Sequence, residues 1–255
     1  MIEIKNVSAG YEGKSVVSNA NVIFEEGKIT VLVGPNGCGK STLLKSVVGI
    51  VPYTAGDILI KGISTQKMST KETAQKIAYL AQNKKAPDIS VMKMVLHGRF
   101  AYLGYPRKYS EKDIEIAQRA IEWTGLEDKK EIIVSKLSGG MQQKVYLAMA
   151  LAQDTDAVLL DEPTTYLDVA HQFRLMEMVK TLAANGKTVV MVLHDLTQAM
   201  QIADKIIVMK EGQIISQGTA EEVYHNQSLE SAFGVKIEKL QTKEGKWIWH
   251  YSHFL

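Results

Sequence analysis

The chain has 255 residues, 45% of them hydrophobic, a single cysteine and a formal net charge of +2. That length suits one large α/β domain or a core with an inserted subdomain. No apolar run reaches the roughly 18 uncharged residues of a membrane span, Cys38 alone excludes an internal disulfide and fits a reducing cytosol, and the mixing of acids with bases argues against the clustered basic face of a nucleic-acid binder. The opening residues lack the basic-then-apolar pattern of a signal peptide, so a cytosolic start is expected.

In chain order, Ile2–Ile4 and Val16–Phe24 read as early strands, and Lys28–Val33 as a compact apolar strand of the buried type. A glycine-rich turn follows, then a helix over Lys40–Val48. Asp57–Ile60 and Ile77–Leu80 read as further strands, with Ser69 and Glu72 spaced as a capping box between them. From about Pro87 to Gln153 the spacing turns helical and strand patterns vanish. Ser110–Asp113 starts a helix running to Trp123 and stopped at Gly125, and a second helix follows Leu137. Then Ala157–Leu160, Thr188–Leu193 and Ile206–Met209 read as strands, alternating with helices over Val169–Ala184 and Asp195–Ile202. Thr219 with Glu222 caps a late helix, and Trp247, Trp249 and Tyr251 fall on one face of a final strand, expected to pack as an edge. The pattern predicts an α/β fold with a mainly parallel sheet, N-terminal antiparallel strands and a helical insertion. The expected division is an α/β core over residues 1–85 and 154–255, with a helical subdomain over 86–153.

Gly34-Pro35-Asn36-Gly37-Cys38-Gly39-Lys40-Ser41-Thr42 matches G-x-x-x-x-G-K-[ST] between a buried strand and a helix, the context a phosphate-binding loop requires. The glycines let backbone N–H groups wrap phosphates, Lys40 supplies a point charge, and the Ser41 hydroxyl suits Mg²⁺. The apolar strand Val158–Leu160 ends in Asp161 and Glu162. Open α/β sheets place ligand chemistry at such strand ends. Asp161 suits the hydration shell of a metal, and Glu162 suits orienting or deprotonating a water. His194 follows another apolar strand, where it either contacts a terminal phosphate or caps the next helix, and Gln82 taken alone is a polar loop residue. Ser138-Gly139-Gly140 runs straight into a helix, a second phosphate-seeking start a hundred residues after the first.

Together these segments resemble the ATP-binding subunit of ABC transporters, over nearly the whole chain and in that family's motif order. Gly34–Thr42 resembles its Walker A motif, Gln82 its Q-loop glutamine, Leu137–Gly140 its signature, Val158–Glu162 its Walker B with catalytic glutamate, Tyr166–Asp168 its D-loop and His194 its switch histidine. Tyr11 stands where the family stacks an aromatic on adenine. The resemblance implies ATP and Mg²⁺, with Ser41, Gln82 and Asp161 at the metal. It also implies a head-to-tail homodimer in which Ser138, Gly139, Gly140 and Asp168 serve the partner's nucleotide, so that each chain contributes half of two composite sites, as a two-fold interface requires. Met141 departs from the family, whose signature usually ends in glutamine or glutamate.

"LLDEPTTYLDVAHQ", "VLHDLTQAMQIAD" and "MVLHGRFAYLGY" resemble the importer subgroup for iron(III)–siderophore, haem and cobalamin. The resemblance implies a peripheral protein on the cytoplasmic side of the membrane, bound to two membrane-spanning permease subunits through Asn83–Tyr105, with an extracytoplasmic substrate-binding protein acting indirectly and no nucleic acid involved. Another cargo, or a non-transport ATPase of the same family, is the alternative.

Overall fold

The computed structural model describes residues 1–82, 86–245 and 247–253. In chain order the elements are β1 (Ile2–Tyr11), β2 (Lys14–Phe24), β3 (Ile29–Val33), α1 (Lys40–Val47), β4 (Tyr53–Ile60), β5 (Ile63–Ser64), α2 (Thr70–Lys76) and β6 (Ile77–Leu80). Next come α3 (Val91–Leu96), a 3-10 segment (His97–Tyr102), α4 (Glu111–Trp123), α5 (Gly139–Ala152), β7 (Ala157–Asp161), α6 (Val169–Ala184), β8 (Thr188–Val192) and α7 (Leu196–Ile202). The chain closes with β9 (Lys205–Lys210), β10 (Gln213–Gly218), α8 (Ala220–His225), α9 (Ser228–Phe233), β11 (Val235–Gln241) and β12 (Trp247–His253).

A six-stranded sheet in the order β10-β9-β3-β8-β7-β6 forms the centre, parallel throughout except for β10. Its parallel strands are apolar on both faces because both are covered, whereas the edge strand β10 has no buried residue. On β3, Ile29, Val31 and Val33 join one hydrophobic cluster with residues of α5, α6 and α7, while Leu32 joins another with α1 and the N-terminal strands. The same alternation runs through β7, with Val158 and Leu160 on the first side and Leu159 on the second, and through β8, with Met191 and Val190. Each such fully buried side chain contributes about 2 kcal/mol. The N-terminal strands form an antiparallel sheet, β2-β1-β4-β5, so α1 lies between two sheets.

β1 runs on to Tyr11, beyond the Ile4 expected from sequence. Asn6 has φ 52°, and the pairing with β2 shifts register between Ile4 and Val7. Such bulges break the two-residue alternation by which a strand is recognised. β10, β11 and α9 also went unpredicted, whereas α6 and β6 match their expected bounds. Of the final aromatic face, Trp249 is buried, but Trp247 and Tyr251 remain 58% and 42% exposed. The Lys239 ammonium stands 5.2 Å from both Trp rings, so a cation covers this face of the strand.

Residues 91–152 share a third hydrophobic cluster built on α3, α4 and α5. A buried ion pair ties it together. Arg99 Nε donates to Asp113 Oδ1 at 2.9 Å, and Arg99 Nη1 donates to the carbonyls of Ala152 and Gln153. Burial pushes the Asp113 carboxyl up, but hydrogen bonds from Ser110 and Arg99 outweigh it and leave its pKa below the ordinary range. Asp113→Ala strands the Arg99 charge and removes half of the α4 capping box. It should cost about 3 kcal/mol, read as a lower urea midpoint with unchanged slope.

Candidate nucleotide and metal site

The parallel strands deliver the site. The carboxyl ends of β3, β6, β7 and β8 lie at one edge of the sheet, and from them project the loop at Gly34, then Gln82, Asp161–Glu162 and His194. They enclose a cavity of about 500 Å³ whose lining includes Asn36, Gly39, Lys40, Ser41, Thr42, Gln82, Glu162 and His194.

Gly34 is required by close approach. A Cβ there would sit 2.2 Å from the Met209 carbonyl oxygen and 2.6 Å from Cys38 Sγ. The loop therefore packs directly on β9, and buried Cys38 fills the space beneath it. Gly39, with φ 103°, turns the chain into α1, a conformation open to glycine. No side chain caps α1, so its first-turn N–H groups are available to an anion. Lys40 is 5% exposed, and its Nζ donates to the carbonyls of Gly34 at 2.7 Å and Pro35 at 2.9 Å. An ammonium held in this way lies beside the loop that phosphate oxygens would enter.

The two acids differ in surroundings. Asp161 ends β7, fully buried. Burial pushes its carboxyl above the ordinary range, opposed by hydrogen bonds from the Ser41 hydroxyl to Oδ1 at 2.9 Å and the Tyr79 hydroxyl to Oδ2 at 3.0 Å. Tyr79 is itself pushed well up, first by burial and then by the Asp161 charge, so its hydroxyl stays a donor. Glu162 has φ 52°, a left-handed conformation costing a non-glycine residue on the order of 1 kcal/mol. Its Oε1 lies 2.6 Å from His194 Nε2, and its Oε2 accepts from Gln82 Nε2 at 2.5 Å. The structure thus brings Gln82, Glu162 and His194 together from three strand ends. The cap of α7 is Asp195, which accepts from the Gln198 backbone N–H at 3.1 Å, leaving the His194 imidazole to Glu162.

Ser138, Gly139 and Gly140 stand apart from this cavity, at the N-terminus of α5. Ser138 Oγ accepts from the Met141 N–H at a long 3.4 Å, and Ser138 and Gly139 are exposed. A Cβ on Gly140 would lie 3.0 Å from the Tyr166 carbonyl oxygen, so these glycines pack against the 166–168 loop. Asp168 caps α6, accepting from the His171 N–H at 2.8 Å. The two segments share an apolar rim on which Tyr166, Val169 and Phe173 are largely exposed. Met141 turns inward and packs on the α3–α5 cluster, which accounts for an apolar residue at that position. Tyr11 ends β1 at the turn into β2, half exposed, and Val16 of the same hairpin lines the cavity instead.

Sequence reasoning missed Tyr79 and Gln143. The buried Gln143 amide donates to the Pro163 carbonyl at 3.1 Å, anchoring the turn after Glu162 to α5. No local pattern marks either residue.

Comparison with known proteins gives the family. Residues 17–165 match the ABC transporter family model. The chain is 40% identical to a petrobactin import ATP-binding protein of Bacillus anthracis, over 93% of this chain and 88% of that protein. It is 39% identical to the iron(3+)-hydroxamate import ATP-binding protein of Bacillus subtilis (strain 168), over 93% and 89%. Its fold superposes on a metal-chelate type ABC transporter in an inward-facing conformation with TM-score 0.84, 27% identity, and coverage of 100% of this chain and 97% of that one. The chain belongs to the ABC transporter family, as one of its ATPase cassettes.

Proposed function

We propose that this chain is the ATP-hydrolysing subunit of an importer for an iron(III)–siderophore or a related chelate such as haem or cobalamin. It works as a head-to-tail homodimer on the cytoplasmic face of the membrane. The observation carrying the cargo is the match, over 93% of this chain, to a protein named for iron(3+)-hydroxamate import. Among the described residues no helix is long and apolar enough to cross a membrane. We assign the membrane-spanning path to two permease subunits, with an extracytoplasmic binding protein supplying the chelate.

The site supports ATP turnover as follows. The N–H groups of the Gly34–Thr42 loop and the Lys40 ammonium bind the phosphates, and the adenine extends past Val16, beyond the cavity, to stack on the exposed Tyr11 ring. A metal here would draw on the Ser41 hydroxyl, the Asp161 carboxylate and the Gln82 amide oxygen, together with phosphate oxygens, the set implied by the family resemblance. That hard, sparse oxygen set fits Mg²⁺, which keeps several waters and relies on substrate phosphates. When bound, Mg²⁺ neutralises charge on the β- and γ-phosphates. Glu162 orients and deprotonates the attacking water, and His194 steadies its carboxylate. Gln82 and His194 each hold one Glu162 oxygen, and the remaining lone pairs of the carboxylate stay open to the attacking water.

The second phosphate-seeking start, Ser138–Gly140, completes the partner's site in the dimer, beside Asp168. In the proposed division into an α/β core, 1–85 with 154–255, and a helical subdomain over 86–153, α5 carries Ser138–Gly140 at its start and packs on the core through Tyr146, Leu147 and Ala150, so it links ATP closure to the helical subdomain. The motion passes to the permeases through Asn83–Tyr105, of which residues 83–85 lie outside the described residues. In the remainder, Phe100 and Tyr105 are exposed. A groove of about 490 Å³ opens there between α2 and the 3-10 segment, lined by Lys71, His97, Phe100, Leu103 and Arg107.

Cells lacking this chain should lose uptake of radioiron supplied as a hydroxamate siderophore. The wild-type chain should restore it and Glu162→Gln should not. Unchanged uptake in the deletion would remove the cargo assignment.

A further inference from the structure

We infer that Tyr79 is a positioning residue for the metal site, fixing the plane of the Asp161 carboxylate so that one oxygen faces Ser41. The inference rests on the assignment of Ser41 and Asp161 to Mg²⁺ given above. A carboxylate turns about its Cβ–Cγ bond, and a single contact leaves its plane unfixed. In this chain each oxygen has one donor. Ser41 Oγ takes Oδ1 and Tyr79 Oη takes Oδ2, at 2.9 and 3.0 Å.

The sheet register makes the second contact. Tyr79 on β6 pairs with Leu159 on β7, two residues before Asp161. Side chains two apart share a face of the sheet, so the Tyr79 ring lies along β7 and reaches the carboxylate at its end. The ring packs against the same cluster as Leu159, which holds the phenol in place. Asp161 itself is fully buried. Without the Tyr79 hydroxyl, Oδ2 would be an acceptor cut off from water, and the carboxylate would be free to turn away from Ser41. β6 and the residues just after it thus serve both acids, Tyr79 on the strand holding Asp161 and Gln82, beyond its end, holding Glu162. Tyr79 touches neither nucleotide nor metal in this account. It acts through Asp161.

Tyr79→Phe deletes only the hydroxyl and keeps the packed ring. The test is the affinity for a fluorescent, non-hydrolysable ATP analogue, measured with Mg²⁺ and again with EDTA. The inference predicts that the metal-dependent gain in affinity falls about tenfold in Tyr79→Phe, while affinity in EDTA stays at the wild-type value. Asp161→Asn should remove the gain, and adding Tyr79→Phe to it should change nothing further. A full metal-dependent gain in Tyr79→Phe, or an equal loss with and without Mg²⁺, would overturn the positioning role while leaving Asp161 at the metal. A full gain in Asp161→Asn would instead overturn the metal assignment, and the inference with it.

Discussion

Glu162→Gln should lower steady-state ATP hydrolysis by about 10²- to 10⁴-fold, the range for loss of a positioned general base, while ATP binding survives. The substitution is nearly isosteric. His194 Nε2 and Gln82 Nε2, now at 2.6 and 2.5 Å from the carboxylate, would still meet an amide oxygen on one side. The phosphate loop, Lys40 and Asp161 lie outside the change. What disappears is a group able to accept the proton of the attacking water, because an amide nitrogen is a donor with no basic lone pair. A nucleotide-binding assay beside a phosphate-release assay separates the two effects. Hydrolysis within threefold of wild type would move the general base elsewhere.

Lys40→Ala should be comparably damaging but by another route. The ammonium is the cation placed inside the loop, 5% exposed and fixed by the carbonyls of Gly34 and Pro35. Removing it leaves those carbonyls facing the incoming phosphates with no charge between. Loss of one preorganised donor to a developing charge costs about 10²- to 10³-fold in turnover, and ATP affinity should fall as well, because the charge also serves the ground state. The pair of variants is therefore distinguishable. Glu162→Gln loses turnover alone, whereas Lys40→Ala loses turnover and binding together.

The parts of the site legible in the sequence are those written within a few consecutive residues. Gly34–Thr42 carries its own chemistry because one strand, one turn and one helix start build it, and Asp161–Glu162 is marked by the apolar strand before it. The contacts that organise these pieces are long-range. Tyr79 and Asp161 are 82 positions apart, Gln82 and Glu162 are 80 apart, and the register of two neighbouring parallel strands alone joins them. A tyrosine in a short apolar strand has no local feature to separate it from core. The fold shows the same division. α4 and α6 were readable from caps and periodicity, whereas β1 was cut short because bulges near Asn6 erase its alternation. The resemblance to the ABC family supplied the proposed roles of Gln82 and His194, and the proposal that Ser138–Gly140 serves a partner's nucleotide. The structure brings the first two residues onto Glu162.

We propose that the two phosphate-seeking helix starts of one chain belong to two different nucleotide sites. The mass of the Glu162→Gln protein in light scattering, with and without ATP and Mg²⁺, decides this. Monomers are expected without nucleotide and a doubled mass with it, with a return to monomers when Ser138→Arg is added to the same protein. A mass that stays monomeric at saturating ATP, or a dimer indifferent to Ser138→Arg, would contradict the shared site.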